Sequence, residues 1–479
     1  MSPDSLTGAV RVLAGPGAGK TRALVDLYAA LIREGRAPRS RILVLTFSTA
    51  AAAEIARRVD AELTDSYDRA WISTFHSFCW RLLREHRPDP DRLLVSGFQE
   101  WAAMRRTLEE ADPARLGPFA PERLRRSDAF ARDVLAFTAL LKQNLEYPAT
   151  FALRAETEGS PRLRALAAVY ADYQARLERG RLVDFRDLVA GAIDLLTLEP
   201  AAATFDYVLV DEFQDVDPAQ FRLLRLLAPP GGPGRLVVVG DPDQSIYGFR
   251  GTVPRLLAEE LPGLYHPATV ELAVSHRCPP AVLAAGERLL RATQARRAAR
   301  SASSERAGDG PSITVAREGN SVDEASFVAR EIRRLVVDEG RRPADFAILL
   351  RSTATLSASF EEALRALGVP DEVRGLGALA RNQAVRFLLT YLRALADPDD
   401  AEALERLLAS GLVGVGQRTV GRLRRHAVDE GRPFPKVVRR LMYLLAERDP
   451  NRWPLPWQSQ ISSPPFGEAP PAKPEAEGS

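Results

Sequence analysis

The segment Val10-Arg-Val-Leu-Ala-Gly-Pro-Gly-Ala-Gly-Lys-Thr21 begins as a short apolar run, breaks into glycines and ends on Gly-Lys-Thr. The run reads as a buried strand, and the periodic apolar residues from Lys20 to about Arg33 read as a helix. Strand, glycine-rich turn and helix in that order are the context of a phosphate loop. Glycines let backbone N–H groups wrap phosphates, and the helix N-terminus adds positive potential. In this reading Ala14, Gly15, Pro16, Gly17, Ala18, Gly19, Lys20 and Thr21 line a nucleotide site. Lys20 would reach the β- and γ-phosphates of ATP, and Thr21 would ligate Mg²⁺. The strict motif starts with glycine where this chain has Ala14. The bland alternative is a glycine-rich turn without a ligand.

Outward from this loop the strand–helix alternation repeats. Arg41 to Thr46 and Ala70 to Thr74 read as strands, each followed by a helix. Tyr207 to Asp211 and Arg235 to Gly240 resume the strand pattern after a stretch, 88–200, in which helical periodicity dominates. Alternating strands and helices predict an α/β fold with a parallel sheet, RecA-like, carrying a helical insertion. Thr269 to Val274 is a further strand candidate, and Ile313 to Val315 and Phe346 to Leu350 are expected to open a second α/β unit. The domain reading is therefore 1–87 and 201–268 for the first RecA-like domain and 88–200 for its insertion. A partial second RecA-like domain covers 269–396, the start of another helical insertion 397–448, and a disordered Pro-rich tail 449–479.

Val210-Asp-Glu-Phe-Gln-Asp215 closes an apolar strand with carboxylates. Asp211 is placed to hold Mg²⁺ and Glu212 to polarise an attacking water. An acidic helix start favoured by the helix dipole is the bland alternative; pairing with the phosphate loop argues against it. Two carboxylates beside a triphosphate call for a cation.

Composition narrows the setting. The chain has 479 residues, 46% hydrophobic and 27% charged, which excludes a wholly disordered protein. No apolar run approaches a membrane span, no signal peptide is evident, and two cysteines make no disulfide framework, so a cytoplasmic enzyme without membrane contact is expected. A net charge of +2 announces no nucleic-acid partner. Of 65 basic residues only Lys20, Lys142, Lys436 and Lys473 are lysines. The bland reading is a genome that replaces lysine by arginine wherever it can. A lysine that survives such drift is a candidate for a position arginine cannot fill, which makes Lys20 the first to examine, the other three lying outside every motif named.

The string Gly240-Asp-Pro-Asp-Gln-Ser-Ile-Tyr-Gly-Phe-Arg-Gly251, together with AGPGAGKT and DEFQD in the same order, resembles the UvrD/PcrA/Rep-type DNA helicases of superfamily 1. Thr46 to Ala52, Ser73 to Ser77 and Leu272 to Arg277 extend the resemblance, which runs from about Val10 to about Arg425. It implies ATP hydrolysis coupled to 3′–5′ movement on single-stranded DNA, in repair or recombination. It assigns Lys20, Thr21, Asp211 and Glu212 to ATP and Mg²⁺, Gln244 to sensing the γ-phosphate and Arg277 to reaching it. Arg22 would cover one face of the adenine and His276, where the family has tyrosine, the other. Phe47, His76, Tyr247, Phe249 and Arg250 match the single-strand groove, with single/double-strand junctions as the wider DNA target. Core packing is the alternative for each aromatic taken singly; Phe75 is read as core.

Two departures qualify the resemblance. The first glutamine is Gln99, so the adenine-reading glutamine of the family is missing; base specificity is relaxed or the start is internal. The motifs that close the family's second motor domain do not appear either. An ATP- and DNA-binding fragment, or a subunit completed by a second chain, is therefore the alternative to an autonomous motor. A P-loop kinase is a third possibility, and it has no need of the Gly240–Gly251 string.

Overall fold

In the computed structural model, residues 8–63, 70–87, 89, 92–117, 121–248, 251–293, 303–306, 313–373, 383–410, 415–430 and 432–448 are described. Phe249, Arg250 and the expected tail at 449–479 lie outside them. The chain divides into two compact units, 1–314 and 315–479. Among the described residues no helix is long and apolar enough to cross a membrane.

The first unit is built on six parallel strands. These are β1 (Val10–Ala14), β2 (Ile42–Thr46), β3 (Trp71–Thr74), β6 (Tyr207–Val210), β7 (Arg235–Gly240) and β8 (Ala268–Leu272), in the order β3-β2-β6-β7-β1-β8. Near-continuous apolar strands suit a sheet covered on both faces. The pleat sends Ile42 and Val44 to one face, against α1 (Lys20–Arg33) and α2 (Thr49–Glu62). Leu43 and Leu45 go to the other, against α3 (Phe75–His86), α10 (Phe185–Leu198) and α11 (Pro218–Leu227). All four are fully buried, each contributing about 1.5–3 kcal/mol. Phe75 is buried in the same core.

The insertion has its own core around Met104, Leu108, Phe151, Tyr170 and Tyr173. Its helices are α4 (Phe98–Glu110), α5 (Pro113–Leu116), α6 (Glu122–Arg125), α7 (Asp128–Gln143), α8 (Pro148–Thr157) and α9 (Pro161–Arg179). Strands were not expected in this stretch, yet β4 (Leu93–Leu94) and β5 (Leu182–Val183) pair in parallel at its base. Two residues are too few to show a period.

The expected strand at Thr269 to Val274 is two strands. β8 hydrogen-bonds to β1, so the sequence boundary at 268/269 falls inside the first sheet. β9 (Val274–Ser275) then pairs with β10 (Ser303–Ser304). Between β9 and β10 lies α13 (Pro280–Thr293), while the short α12 (Leu261–Tyr265) precedes β8.

Among its described residues the second unit carries no strand. Ile313 to Val315 and Phe346 to Leu350 are not in a ladder, which corrects the expectation of strands there. The second segment keeps the alternation of a strand. Phe346 and Ile348 pack on Ala329 and Ile332 of α14 (Ser321–Asp338) and Leu364 of α15 (Thr353–Ala366), whereas Leu349 is 92% exposed. A side-chain period of two was legible; a ladder also requires a partner strand. Helices Gln383–Ala396, Ala401–Ala409, Gln417–Asp429 and Phe434–Arg448 follow, the last three sharing a core around Val420, Phe434 and Val438.

Candidate functional site

The turn between β1 and α1 ends in Gly19, whose backbone is left-handed (φ 81°), and no side chain caps the helix that follows. The first N–H groups of α1 thus point at open space, as an anion site requires. A cavity of about 270 Å³ opens over the turn. Pro16 to Arg22 line it from the loop, Ala51, Glu54 and Arg58 from α2, and Glu212, Gln244 and Arg277 from the opposite wall.

Lys20 is buried at the floor, its Nζ donating to the Ala14 carbonyl at 3.4 Å. Thr21 donates from Oγ1 to Oδ2 of Asp211 at 3.1 Å. Asp211 follows β6, and its N–H still bonds to Leu45. Burial, and then the neighbouring Glu212, push the Asp211 carboxyl up to about 6, against the opposing pull of Thr21 and Lys20. Lys20 and Thr21 offset only part of that burial, and a divalent cation would add to their compensation. Among the described residues no group of three or more His, Cys, Asp or Glu side chains gathers around a metal site. Thr21 and Asp211 form the two-ligand set that suits Mg²⁺ when phosphates and waters complete its shell.

Glu212 has a left-handed backbone (φ 51°), a strained conformation for a residue with a side chain. Its Oε2 accepts from Nε2 of Gln214 at 2.7 Å. Gln214 Oε1 accepts from the Asp241 N–H at 2.9 Å, and Asp241 Oδ2 accepts from Nε2 of Gln244 at 2.6 Å. The Gln214 carbonyl accepts from Ser245 Oγ at 3.2 Å. The carboxylate strand end and the Asp241–Ser245 part of the string are therefore one hydrogen-bonded assembly.

Arg277 is held at the cavity by its neighbours. Ser275 Oγ donates to the Pro16 carbonyl at 2.8 Å, and the His276 N–H to the Gly17 carbonyl at 3.0 Å. The His276 ring lies outside the cavity lining and pairs with Glu305. Arg22 lines the cavity and faces Asp26 at 3.8 Å.

The expected DNA residues divide. Phe47, which follows β2, stacks on Tyr247 with centroids 5.4 Å apart and planes 16° from parallel; Phe47 is 37% exposed. His76, on α3, meets the ring of Phe185 edge-on at 5.4 Å. Burial, and then Arg186, lower the His76 imidazole to about 4, so it is neutral at pH 7. Arg125 and Arg126 of the insertion bond to the Ala111 carbonyl and to Glu122.

Sequence reading missed the α2 wall. Ala51, Glu54 and Arg58 stand at i, i+3 and i+7, the spacing of one helix face, which was available as a signal. It also assigned no role to Gln214, Asp241 or Ser275, although they lie inside or beside the quoted motifs.

Sheet, phosphate loop, acidic strand end and cavity define a P-loop nucleotide-binding α/β protein. Residues 2–261 match the UvrD/REP helicase N-terminal domain and residues 270–431 the UvrD-like helicase C-terminal domain. The chain belongs to the UvrD-like helicase family. It is 34% identical over 420 residues to the ATP-dependent DNA helicase UvrD1 of Mycobacterium tuberculosis (strain ATCC 25618 / H37Rv), covering 85% of this chain and 53% of that protein. It is 31% identical over 447 residues to DNA helicase II of Escherichia coli (strain K12), covering 90% and 58%. The ATP-dependent DNA helicase PcrA of Bacillus subtilis (strain 168) is 29% identical over 452 residues, covering 91% and 58%. The chain thus spans little more than half the length of these relatives.

Proposed function

We propose that this chain is an ATP-hydrolysing module that binds single-stranded DNA and moves along it 3′ to 5′, acting at single/double-strand junctions in DNA repair or recombination in the cytoplasm. One observation carries the reading: the hydrogen-bonded path from Glu212 through Gln214 and Asp241 to Gln244, with Tyr247 three residues on and stacked on Phe47.

Backbone N–H groups at the start of α1 and the Lys20 ammonium bind the phosphates. Thr21 and Asp211 would hold Mg²⁺, which when bound would supply charge neutralisation for the triphosphate. Glu212 orients the attacking water and accepts its proton. Gln244 and Arg277 face the γ-phosphate, where a guanidinium fork suits the spread charge. Arg22 covers the adenine, and His276 reaches its other face on leaving Glu305. Phe47 and Tyr247 take bases by stacking, which is indifferent to sequence.

The test is ATP hydrolysis by the purified chain with and without oligo(dT). Single-stranded DNA is expected to stimulate turnover. Lys20→Ala should abolish nucleotide binding, and Glu212→Gln should keep binding while losing about 10²–10⁴-fold in turnover. Nucleotide binding with no turnover, unchanged by DNA, overturns the proposal.

A further inference from the structure

Lys142 is one of four lysines among 65 basic residues, and it lies far from the phosphate loop in sequence. Its side chain is 4% exposed. Its Nζ donates to Asp184 Oδ2 and to Asp187 Oδ1, each at 2.7 Å. The other oxygen of each carboxylate is already used. Asp184 Oδ1 accepts from the N–H groups of Arg186 and Asp187, and Asp187 Oδ2 from the N–H of Asp184, a capping box at the start of α10. The ammonium thus fills the remaining acceptors and ties the end of α7, in the insertion, to the start of α10, under the sheet. A compact charge with three rotatable donors fits between two carboxylates in a way a planar guanidinium does not.

Two groups that face the proposed DNA groove rest on this junction. Gln143 and Leu140, on α7 beside Lys142, support Gly251 at the end of the Gly240–Gly251 string. A Cβ at Gly251 would come within 2.4 Å of Gln143 Oε1 and 3.3 Å of Leu140 Cδ2, and its φ is +87°, so that backbone sits directly on the helix end. On the other side Phe185, between Asp184 and Arg186, sets its ring edge against His76 at 5.4 Å. Arg186 is further anchored toward Glu100 of α4 at 3.7 Å.

We propose that Lys142 is a positioning residue for single-stranded DNA, setting the Tyr247-bearing loop and His76 relative to each other through its joint hold on Asp184 and Asp187. The proposal rests on the DNA-binding reading above. It assigns to the base of the insertion a part in shaping the groove, with no contact between Lys142 and DNA.

The experiment measures two dissociation constants on the full chain, for fluorescein-labelled oligo(dT) and for a fluorescent ATP analogue, together with the melting temperature. Lys142→Met, Lys142→Arg and Phe185→Leu are compared with the unaltered protein. Lys142→Met is expected to weaken oligo(dT) binding at least tenfold and nucleotide binding less than twofold. Lys142→Arg keeps the charge but not the geometry and should weaken oligo(dT) binding at least threefold. Phe185→Leu leaves the ion cluster intact and should do the same with little change in melting temperature. If Lys142→Met does not fold, the other two variants decide. A role in stability alone would lower the melting temperatures and leave both constants of the folded protein unchanged; that result overturns the proposal. Failure of the unaltered protein to bind oligo(dT) instead overturns the DNA-binding reading itself.

Discussion

Gly17 and Gly19 share a left-handed backbone, φ +75° and +81°, yet their surroundings differ. A Cβ at Gly17 would fall 2.6 Å from the Arg277 Cβ and 2.7 Å from Ser275 Oγ; a Cβ at Gly19 meets no protein atom within 4 Å. Alanine in this conformation costs about 1–2 kcal/mol at either position. At Gly17 the Ser275–Arg277 segment must also move away. That breaks the bonds from Ser275 Oγ to Pro16 and from the His276 N–H to Gly17, each worth about 1 kcal/mol. Gly17→Ala should therefore destabilise the first unit by about 3–4 kcal/mol and Gly19→Ala by about 1–2 kcal/mol. Urea unfolding without nucleotide, followed by tryptophan fluorescence, reads the difference from the shift in midpoint at constant slope. Omitting nucleotide matters, because a methyl at Gly19 could obstruct a phosphate without touching the protein. Equal losses in the two variants would refute the claim that the loop and the Arg277 segment hold each other.

Phe47→Ala and Tyr247→Ala should each weaken oligo(dT) binding by about 1–3 kcal/mol, as fluorescence anisotropy would record, and the double variant by less than the sum because the rings stack on each other. Asp217 caps α11 from a buried position, and burial pushes its carboxyl up to about 6. Its folded value lies above the usual 3.8, so its contribution to stability is present below pH 4 and lost as pH rises through 6. Asp217→Ser keeps a cap without the charge, and urea melts should show it gaining about 2–3 kcal/mol on the unaltered protein between pH 4 and pH 7. His76 runs the other way, its folded value of about 4 lying below the usual 6.5. His76→Gln should therefore remove a loss of about 3 kcal/mol that the unaltered protein suffers as pH falls from 6.5 through 4. In the second unit, Leu349→Ser should change stability by less than about 0.5 kcal/mol and Phe346→Ala should cost about 2 kcal/mol or more, read by thermal melts.

What the sequence disclosed was local. β1, β2, β6 and β7 are short apolar runs buried on both faces, and the glycines and Lys20 of the loop announce their own turn, so the sheet and the turn under the cavity were legible. Partnerships between distant residues were not. Leu93–Leu94 and Leu182–Val183 find each other across the whole insertion, and neither has a period to read. The apolar content of β8 showed a strand but could not show that β1 is its neighbour. Phe346 to Leu350 has the alternation of a strand without a ladder. Lys142 stood out by composition alone, since nothing in its neighbourhood points to carboxylates more than forty residues on. His276 illustrates the converse: its position in the motif predicted a face over the adenine, while its ring is engaged by Glu305, a residue that no motif contains.

On the reading proposed above, nucleotide and single-stranded DNA are coupled, and the strand order supplies a short path for that coupling. In a parallel sheet the carboxyl ends of all strands open on one edge, where ligands bind. Here β1 delivers the phosphate loop to that edge, β6 delivers Asp211 and Glu212, β7 delivers Asp241 and Gln244, and β2 delivers Phe47. β6 lies between β2 and β7, so the acidic residues sit between the strand that leads to Phe47 and the strand that leads to its stacking partner Tyr247. A change at the γ-phosphate that moved Gln244 would pull on Asp241, which Gln214 already ties to Glu212. Ser245 is bonded to the Gln214 carbonyl, and Tyr247 is two residues further on. The aromatic pair is thus anchored to opposite sides of the strand that carries the acidic residues. A displacement of the Gln244 segment relative to β2 strains the Phe47–Tyr247 stack, and on the proposed reading a base seated there resists that motion in return.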